Sequence, residues 1–271
     1  MNDHHNPEPH PLQHLALRVE EASLNAWPAL HQQLYDGWLL RFSRGFTKRA
    51  NSVNPIYYGR SGTGALRESS DQPLLEKIRY CENLYAREDQ PTVFRLTSLQ
   101  GQGALEQTLQ QRGYERGGLS LVLIAELAPA RAQATASTDT ALVAALDEWL
   151  DGYCQITELP ALARTLHQAI LRGIHGQLAL ALRGGAGAEA LACGLGVLEA
   201  ELLGLFDIVT APGVRRQGHA RALVRDLMHW GARNQARVVY LQVAADNTPA
   251  LGLYSQLGFT ELYRYWYRSS R

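Results

Sequence analysis

The stretch LLGLFDIVTAPGVRRQGHARALVRDL, residues 202–227, most constrains what this chain can fold into. Its first nine residues are almost all apolar, as in a strand covered on both faces. A short loop with Pro212 and Gly213 follows, and a run of helix formers begins near Gly218. A strand that feeds a helix through a tight loop leaves the helix's unpaired N–H groups, and its partial positive charge, at the strand's end. Arg215 and Arg216 add side-chain charge there, and a glycine lets a ligand approach the backbone closely. The arrangement suits a pyrophosphate, each such contact contributing roughly 0.3–1 kcal/mol. Taken alone, the loop fits equally well a plain helix start with two solvated arginines.

The rest of the chain alternates in a similar way. A helix is expected from Leu15 to Ala26, ended by Pro28. DGWLLRFS (36–43) and FTKRANSVNP (46–55) read as strands, and 59–70 as a loop. PLLEKIRYCENLYARED (73–89) is an amphipathic helix, TVFRLTSL (92–99) a strand, ALEQTLQQRGYE (104–115) a helix stopped by Gly113, and LSLVLIAEL (119–127) a buried strand. The small-residue segment 128–138 reads as an inter-domain connection. Helices near 139–151 and 160–173 follow, then strands at 177–182, 190–199 and 202–210. The helix beginning near Gly218, a strand at 237–244, a helix near 248–257 and a last strand at 259–268 complete the chain. Such alternation places the fold in the α/β or α+β class with a mixed sheet.

Composition narrows the functions. The 271 residues suffice for one large or two ordinary domains. Lys plus Arg equals Asp plus Glu at 26 each, so no global field favours nucleic acid or an anionic membrane, and any anion site must be local. Cys81, Cys154 and Cys193 are scattered without a Cys-x-x-Cys pair, which points away from a zinc site or disulfide framework and towards a reducing cytoplasm. No metal is therefore expected. No apolar run reaches the roughly 18–20 residues that span a bilayer. Residues 1–14, rich in His and Pro, have no fixed ligand spacing and read as a disordered tail.

Downstream of the arginine loop stands DNTPALGLYSQLGF, in which Asn247, Ala250, Leu253, Tyr254, Gly258 and Phe259 are spaced N-x-x-A-x-x-L-Y-x-x-x-G-F. With R-x-x-G-x-A at Arg215, Gly218 and Ala220, this resembles the GNAT acetyltransferase superfamily over roughly residues 139–271. The resemblance implies a mostly antiparallel mixed sheet flanked by helices, with two splayed strands that bind acetyl-coenzyme A. It implies that backbone groups of Ile208, Val209 and Thr210 pair with the pantetheine arm. It implies that N–H groups of Arg215, Arg216, Gln217, Gly218, His219 and Ala220 wrap the pyrophosphate, that Asn247 reaches the cofactor, and that Tyr254 stands near the thioester sulfur. The usual second loop glycine is Ala220 here, and His219 takes a position that is usually apolar.

The implied chemistry is direct attack of a neutral primary amine, expected to belong to a small molecule, on the thioester, with Tyr254 as general acid. Such acid–base help contributes roughly 10²–10⁴-fold. Glu199, Glu201 and Asp207 are the candidate bases. Asp207 ranks first, because a carboxylate inside the apolar run LFDIV is costly unless paired or used; a water chain is the alternative to all three. A coenzyme-binding sensor without catalysis, and a different acyl donor or acceptor, are the rival readings. The expected protein is a monomer or homodimer.

The front half repeats the back half at low similarity. Residues 94–115 align without a gap on 239–260, with Leu96 on Leu241, Leu109 on Tyr254, Gly113 on Gly258 and Tyr114 on Phe259. SVNP (52–55) echoes VTAP (209–212). A degenerate GNAT-like domain at 15–130 and a catalytic one at 131–271 are therefore expected, the rival reading of the front half being a generic strand–helix–strand that would align nearly as well. The front copy lacks the tyrosine and the asparagine, which become Leu109 and Gln102. Within it, Trp38, Arg41, Arg49, Asn51 and Ser52 resemble the front of other two-part bacterial acetyltransferases, and Arg49 and Asn51 are the candidate acceptor contacts, the alternative being an edge strand with solvated polar residues.

Overall fold

The computed structural model describes residues 11–56, 73–99, 102–127, 140–184 and 189–270. In chain order the elements are α1 (Pro11–Asn25), β1 (His31–Tyr35), β2 (Trp38–Phe42), β3 (Val53–Asn54), α2 (Leu74–Arg87), β4 (Val93–Thr97), α3 (Gly103–Gln111) and β5 (Glu115–Glu126). There follow β6 (Thr140–Val143), α4 (Leu146–Thr157), α5 (Ala161–Arg172), β7 (Gln177–Arg183), β8 (Ala192–Glu199) and β9 (Leu202–Thr210). The last elements are α6 (His219–Arg233), β10 (Val238–Ala244), α7 (Thr248–Gln256) and β11 (Thr260–Ser269). The chain forms two compact units, one of residues 1–20, 29–121 and 262–271, the other of 21–28 and 122–261.

In the first unit the strands run in the order β1-β2-β3-β4-β11. β1 and β2 are an antiparallel hairpin closed between Tyr35 and Trp38. Its two-residue turn, Asp36-Gly37, has φ of 44° and 78°, the doubly left-handed turn that matches strand twist. β3 and β4 are parallel, whereas β11 joins β4 antiparallel from Tyr265↔Thr97 to Ser269↔Val93. One face carries the apolar core, with Trp38 and Leu40 of β2, Phe94 and Leu96 of β4, Ile78, Cys81 and Tyr85 of α2, and Leu105 and Leu109 of α3. The opposite face carries Arg95, whose two terminal guanidinium nitrogens donate to Glu20 of α1, with Tyr263 donating to the same carboxylate.

In the second unit the order is β10-β9-β8-β7-β6, with β5 running from the first unit into this one. All pairs from β9 to β6 are antiparallel, and β9 and β10 are parallel. Leu223 and Leu227 of α6 lie close on β8: a Cβ at Gly194 would stand 2.9 Å from Leu223 Cδ2 and 2.5 Å from Ile208 Cδ1. Only glycine there allows helix and strand to approach so closely.

Several expectations change. The stretch 46–55 is a 3-10 turn at Lys48–Ala50 and only two strand residues, since Asn51 holds the segment as a loop. Residues 140–143 form the edge strand β6 before α4, not the start of a helix. α1 begins at Pro11, inside the expected tail, and 1–10 lie outside the described residues, as do the loop at 59–70 and the connection at 128–138. The compact units also interleave along the chain, because 262–269 of β11 lies with β4 while 122–126 of β5 lies with 127–261. No helix among the described residues is long and apolar enough to cross a membrane.

The repeat has a structural counterpart. Val93 and Val238, Gly103 and Thr248, Gln111 and Gln256, and Glu115 and Thr260 bound matching elements at one constant offset. Gly113 and Gly258 both end their helices at positive φ, 82° and 88°. The next N–H, of Tyr114 or Phe259, returns to the Leu109 or Tyr254 carbonyl at 3.0 Å in each case.

Candidate active site

The parallel pair β9 and β10 is in register only from Leu202↔Val238 to Leu205↔Leu241. β9 then runs on to Thr210 beside β8, and β10 on to Ala244, so the two strands part as a fork. A bulge marks the parting point. Asp207 and Ile208 together oppose the single residue Gly194, and Asp207 takes φ 51°. Two residues against one adds twist to the bulged strand and swings its end away. Trp149 of α4 donates its indole N–H to the Gly194 carbonyl at 3.0 Å, satisfying a group at the disrupted part of the ladder.

Beyond Thr210 the chain makes a 3-10 turn at Pro212–Val214 and enters α6. Arg216 and Gly218 both have positive φ, 63° and 88°. No side chain caps the start of α6, and Gly218 is its N-cap. Arg215, Arg216, Gln217 and Gly218 are exposed and His219 and Ala220 half-buried, while Ile208, Val209 and Thr210 are half-buried along the fork. Successive backbone N–H groups in such turns form a concavity for anions, to which the helix start adds its dipole.

On α7, Asn247 is the N-cap and accepts from Ala250 N at 3.2 Å, so its amide oxygen organises the helix start. Tyr254 is buried with its ring edge-on to Phe259 at 5.6 Å. Burial pushes its hydroxyl up to about 12, so it keeps its proton at neutral pH, as a general acid must.

Asp207 proves to have a partner that the sequence did not disclose. His167 of α5 lies 2.9 Å from its Oδ2 through Nε2. The apolar surroundings of Asp207 demanded such a partner, but nothing in the local pattern of α5 says which residue supplies it. Glu199, the lower-ranked alternative, accepts from Asn25 at 2.9 Å, and Glu201 pairs with Arg237 at 3.6 Å. Arg49 and Asn51 belong to the first unit and do not lie on a strand. The Arg49 carbonyl accepts from Arg41 at 3.1 Å. Asn51 Oδ1 accepts from Ser43 N and Gly45 N, and its amide donates to the carbonyls of Phe46 and Thr47, which ties the loop 43–51 together.

The first unit treats its own parallel pair differently. Gln102, at the repeat position of Asn247, is buried. Its Oε1 accepts from Thr97 N at the end of β4 at 3.0 Å, and its Nε2 donates to Pro55 O just past β3 at 3.5 Å. One side chain thus spans the two strand ends that stand apart in the second unit.

A mixed sheet whose central parallel strands splay beside a bulge, followed by an uncapped helix behind an Arg-x-x-Gly-x-Ala loop, is the architecture of the GNAT acetyltransferases. The family model described as "Probable histone acetyltransferase Rv0428c C-terminal" matches residues 17–268. The chain belongs to that family, and with it to the GNAT superfamily of acyltransferases. It is 24% identical over 269 residues to the "Uncharacterized N-acetyltransferase YobR" of Bacillus subtilis, covering 94% of this chain and 98% of that protein. The fold matches a GCN5-related N-acetyltransferase from Kribbella flavida with a TM-score of 0.63 at 13% identity, over 94% of this chain and 95% of the other. A tandem GNAT protein from the clavulanic acid biosynthesis pathway matches at 0.54 and 15% identity, over 76% and 73%.

Proposed function

We propose that the second unit binds acetyl-coenzyme A in the fork between β9 and β10 and transfers its acetyl group to a primary amine, expected to belong to a small molecule. The carrying observation is the end of the β9–β10 register at Leu205 and Leu241, with the uncapped start of α6 following the end of β9 and the Pro212–Val214 turn. Ile208, Val209 and Thr210 offer strand-edge groups to the pantetheine amides. The N–H groups of Arg215 to Ala220 would hold the pyrophosphate. Asn247 contributes by fixing α7 and with it Tyr254. The coenzyme supplies an activated thioester; the remaining chemistry is this chain's.

The proton balance follows from the residues. The acceptor ammonium gives one proton to Asp207 and becomes a nucleophile. Its lone pair forms the N–C bond while the C–S bond breaks. Tyr254 gives its proton to the departing thiolate and regains one from the new amide nitrogen. Asp207 returns its proton to water, so one thiol, one amide and one proton result. The first unit is read as a degenerate GNAT-like domain that binds no coenzyme, because Gln102 bridges the strand ends there. The expected catalytic domain, 131–271, overlaps this second unit over 131–261, while 262–271 fall in the first unit and 21–28 and 122–130 in the second. Arg49 is proposed to meet an anionic group on the acceptor.

The test is turnover of acetyl-coenzyme A with a panel of primary amines, read as free thiol and acetylated product, together with calorimetric titration of coenzyme A. Amine-dependent thiol release and one site per chain are expected. No turnover with any amine would remove the enzymatic reading, and two sites per chain would remove the assignment to one unit.

A further inference from the structure

Asp207 is built into the second unit at evident cost. Its left-handed backbone, φ 51°, costs a non-glycine residue about 1–2 kcal/mol. Its side chain is only 8% exposed, and that of its partner His167 only 1%. Around His167 stand three aromatic rings: Tyr153 with its centroid at 4.9 Å, Trp27 at 5.4 Å and Trp149 at 6.1 Å. Trp149 also bonds to Gly194, the residue opposite the bulge. Two polar groups inside an aromatic shell are a poor way to stabilise a fold, since apolar residues of similar volume commonly do as well or better. Their place is specific: Asp207 is the second residue past the last paired position of the fork.

The chemistry of the pair decides which atom does what. A carboxylate only accepts, so His167 Nε2 carries the proton it shares with Oδ2. The ring packs among Trp27, Trp149 and Tyr153, contacts that restrain its orientation and, through the shared hydrogen bond, that of the carboxylate. With Oδ2 engaged, Oδ1 is the oxygen that can receive a proton from elsewhere. Ile208, the other bulge residue, points to the α6 side, towards Gly194 and Leu223.

We infer that His167 is a positioning residue for acetyl transfer: it holds Asp207 by one oxygen so that the other takes the proton from the acceptor ammonium. This rests on the acetyltransfer reading above. Neither residue forms a covalent bond in the step. One N–H bond of the ammonium breaks, one O–H bond forms on Oδ1, and the nitrogen keeps the electron pair for attack.

The experiment compares His167→Leu, His167→Gln, Asp207→Asn and the double variant His167→Leu/Asp207→Asn in steady-state acetyl transfer. Leucine fills the ring's place without a donor, whereas the glutamine amide can place an N–H near the position of Nε2. Asp207→Asn should lower kcat by about 100-fold, within the usual range for acid–base help. His167→Leu should lower kcat by about 10- to 100-fold with the KM for acetyl-coenzyme A within about twofold, and His167→Gln should recover most of it. The double variant should fall no further than Asp207→Asn alone, as for two residues acting as one unit. A His167→Leu variant with wild-type kcat, or losses that multiply in the double variant, would overturn the inference. If the leucine variant does not fold, nitrogen NMR of the wild-type imidazole decides. A protonated Nε2 whose signal shifts in Asp207→Asn supports the pair, and an unprotonated Nε2 refutes it. Wild-type protein that acetylates no amine would remove the acetyltransfer reading and this one with it; a working wild type whose Asp207→Asn variant keeps its rate would remove this inference and the base role of Asp207, and leave acetyl transfer itself standing.

Discussion

Gly218 offers the sharpest separation of backbone from ligand effects. It precedes α6 at φ 88°, and a Cβ added there meets no atom within 4 Å. Gly218→Ala therefore creates no packing clash, and its cost to the fold is the left-handed backbone, about 1–2 kcal/mol. In a chain of this size that corresponds to a fall in Tm of about 2–6 °C. If N–H groups of this loop grip the pyrophosphate, the methyl group stands in the ligand's way and the loop shifts. Losing contacts worth about 1.4–2.8 kcal/mol in total weakens binding by about 10- to 100-fold, at 1.4 kcal/mol per factor of ten. Gly113→Ala is the matched control, with φ 82° and likewise nothing within 4 Å, but in the first unit. Both variants should lose similar thermal stability, and only Gly218→Ala should lose coenzyme A affinity by calorimetry. Equal affinities in the two folded variants would refute the loop's role.

Other expectations follow from the same geometry. Tyr254→Phe keeps the contact with Phe259, so the rate should drop about 10- to 100-fold while coenzyme A affinity stays within about twofold; an unchanged chemical rate excludes Tyr254 as the acid. Because burial raises this hydroxyl from 10.0 to about 12, its contribution to stability is intact below pH 10 and is lost as the pH climbs towards 12, which melts across that window can read. Glu20→Gln removes the carboxylate partner of buried Arg95 and should cost about 3–5 kcal/mol in denaturant unfolding; a loss below 1 kcal/mol would mean that the pair is dispensable. Burial would raise the Glu20 carboxyl, but Arg95 outweighs it and holds the group below its usual value, so the pair's contribution is present at neutral pH and fades as acid protonates Glu20. Arg49→Ala should raise the acceptor KM and leave that for acetyl-coenzyme A nearly unchanged, and equal effects on both would point to a structural role.

Much of this was legible because local pattern and fold agree. The apolar run at 202–210, the loop glycine and the Asn247-to-Phe259 spacing led to β9, α6 and α7 almost residue for residue. The ungapped repeat was legible for the same reason, since its element boundaries keep their offset. Edge pieces were not. β1, with HQQLY half exposed, and β6, with TALV, have too little apolar alternation to stand out, although the Asp36-Gly37 turn was a usable hairpin signal. The stretch 46–55 looked extended because its residues alternate, yet Asn51 spends its whole amide on making it a loop. The pairing of β11 with β4 joins positions about 170 residues apart, and no local period carries such information. The same holds for His167 and Asp207. A carboxylate in an apolar run signals that a partner exists, and only the packing of α5 says which.

The fork and the α6 loop of the second unit are proposed to hold the coenzyme. Amide hydrogen exchange on the intact chain, with and without acetyl-coenzyme A, tests this assignment directly. Slowed exchange is expected over Ile208 to Ala220 and at the start of α7, and no change over β3 or at Gln102. Unchanged exchange at 208–220 under saturating ligand, or protection confined to β3 and β4, would contradict it.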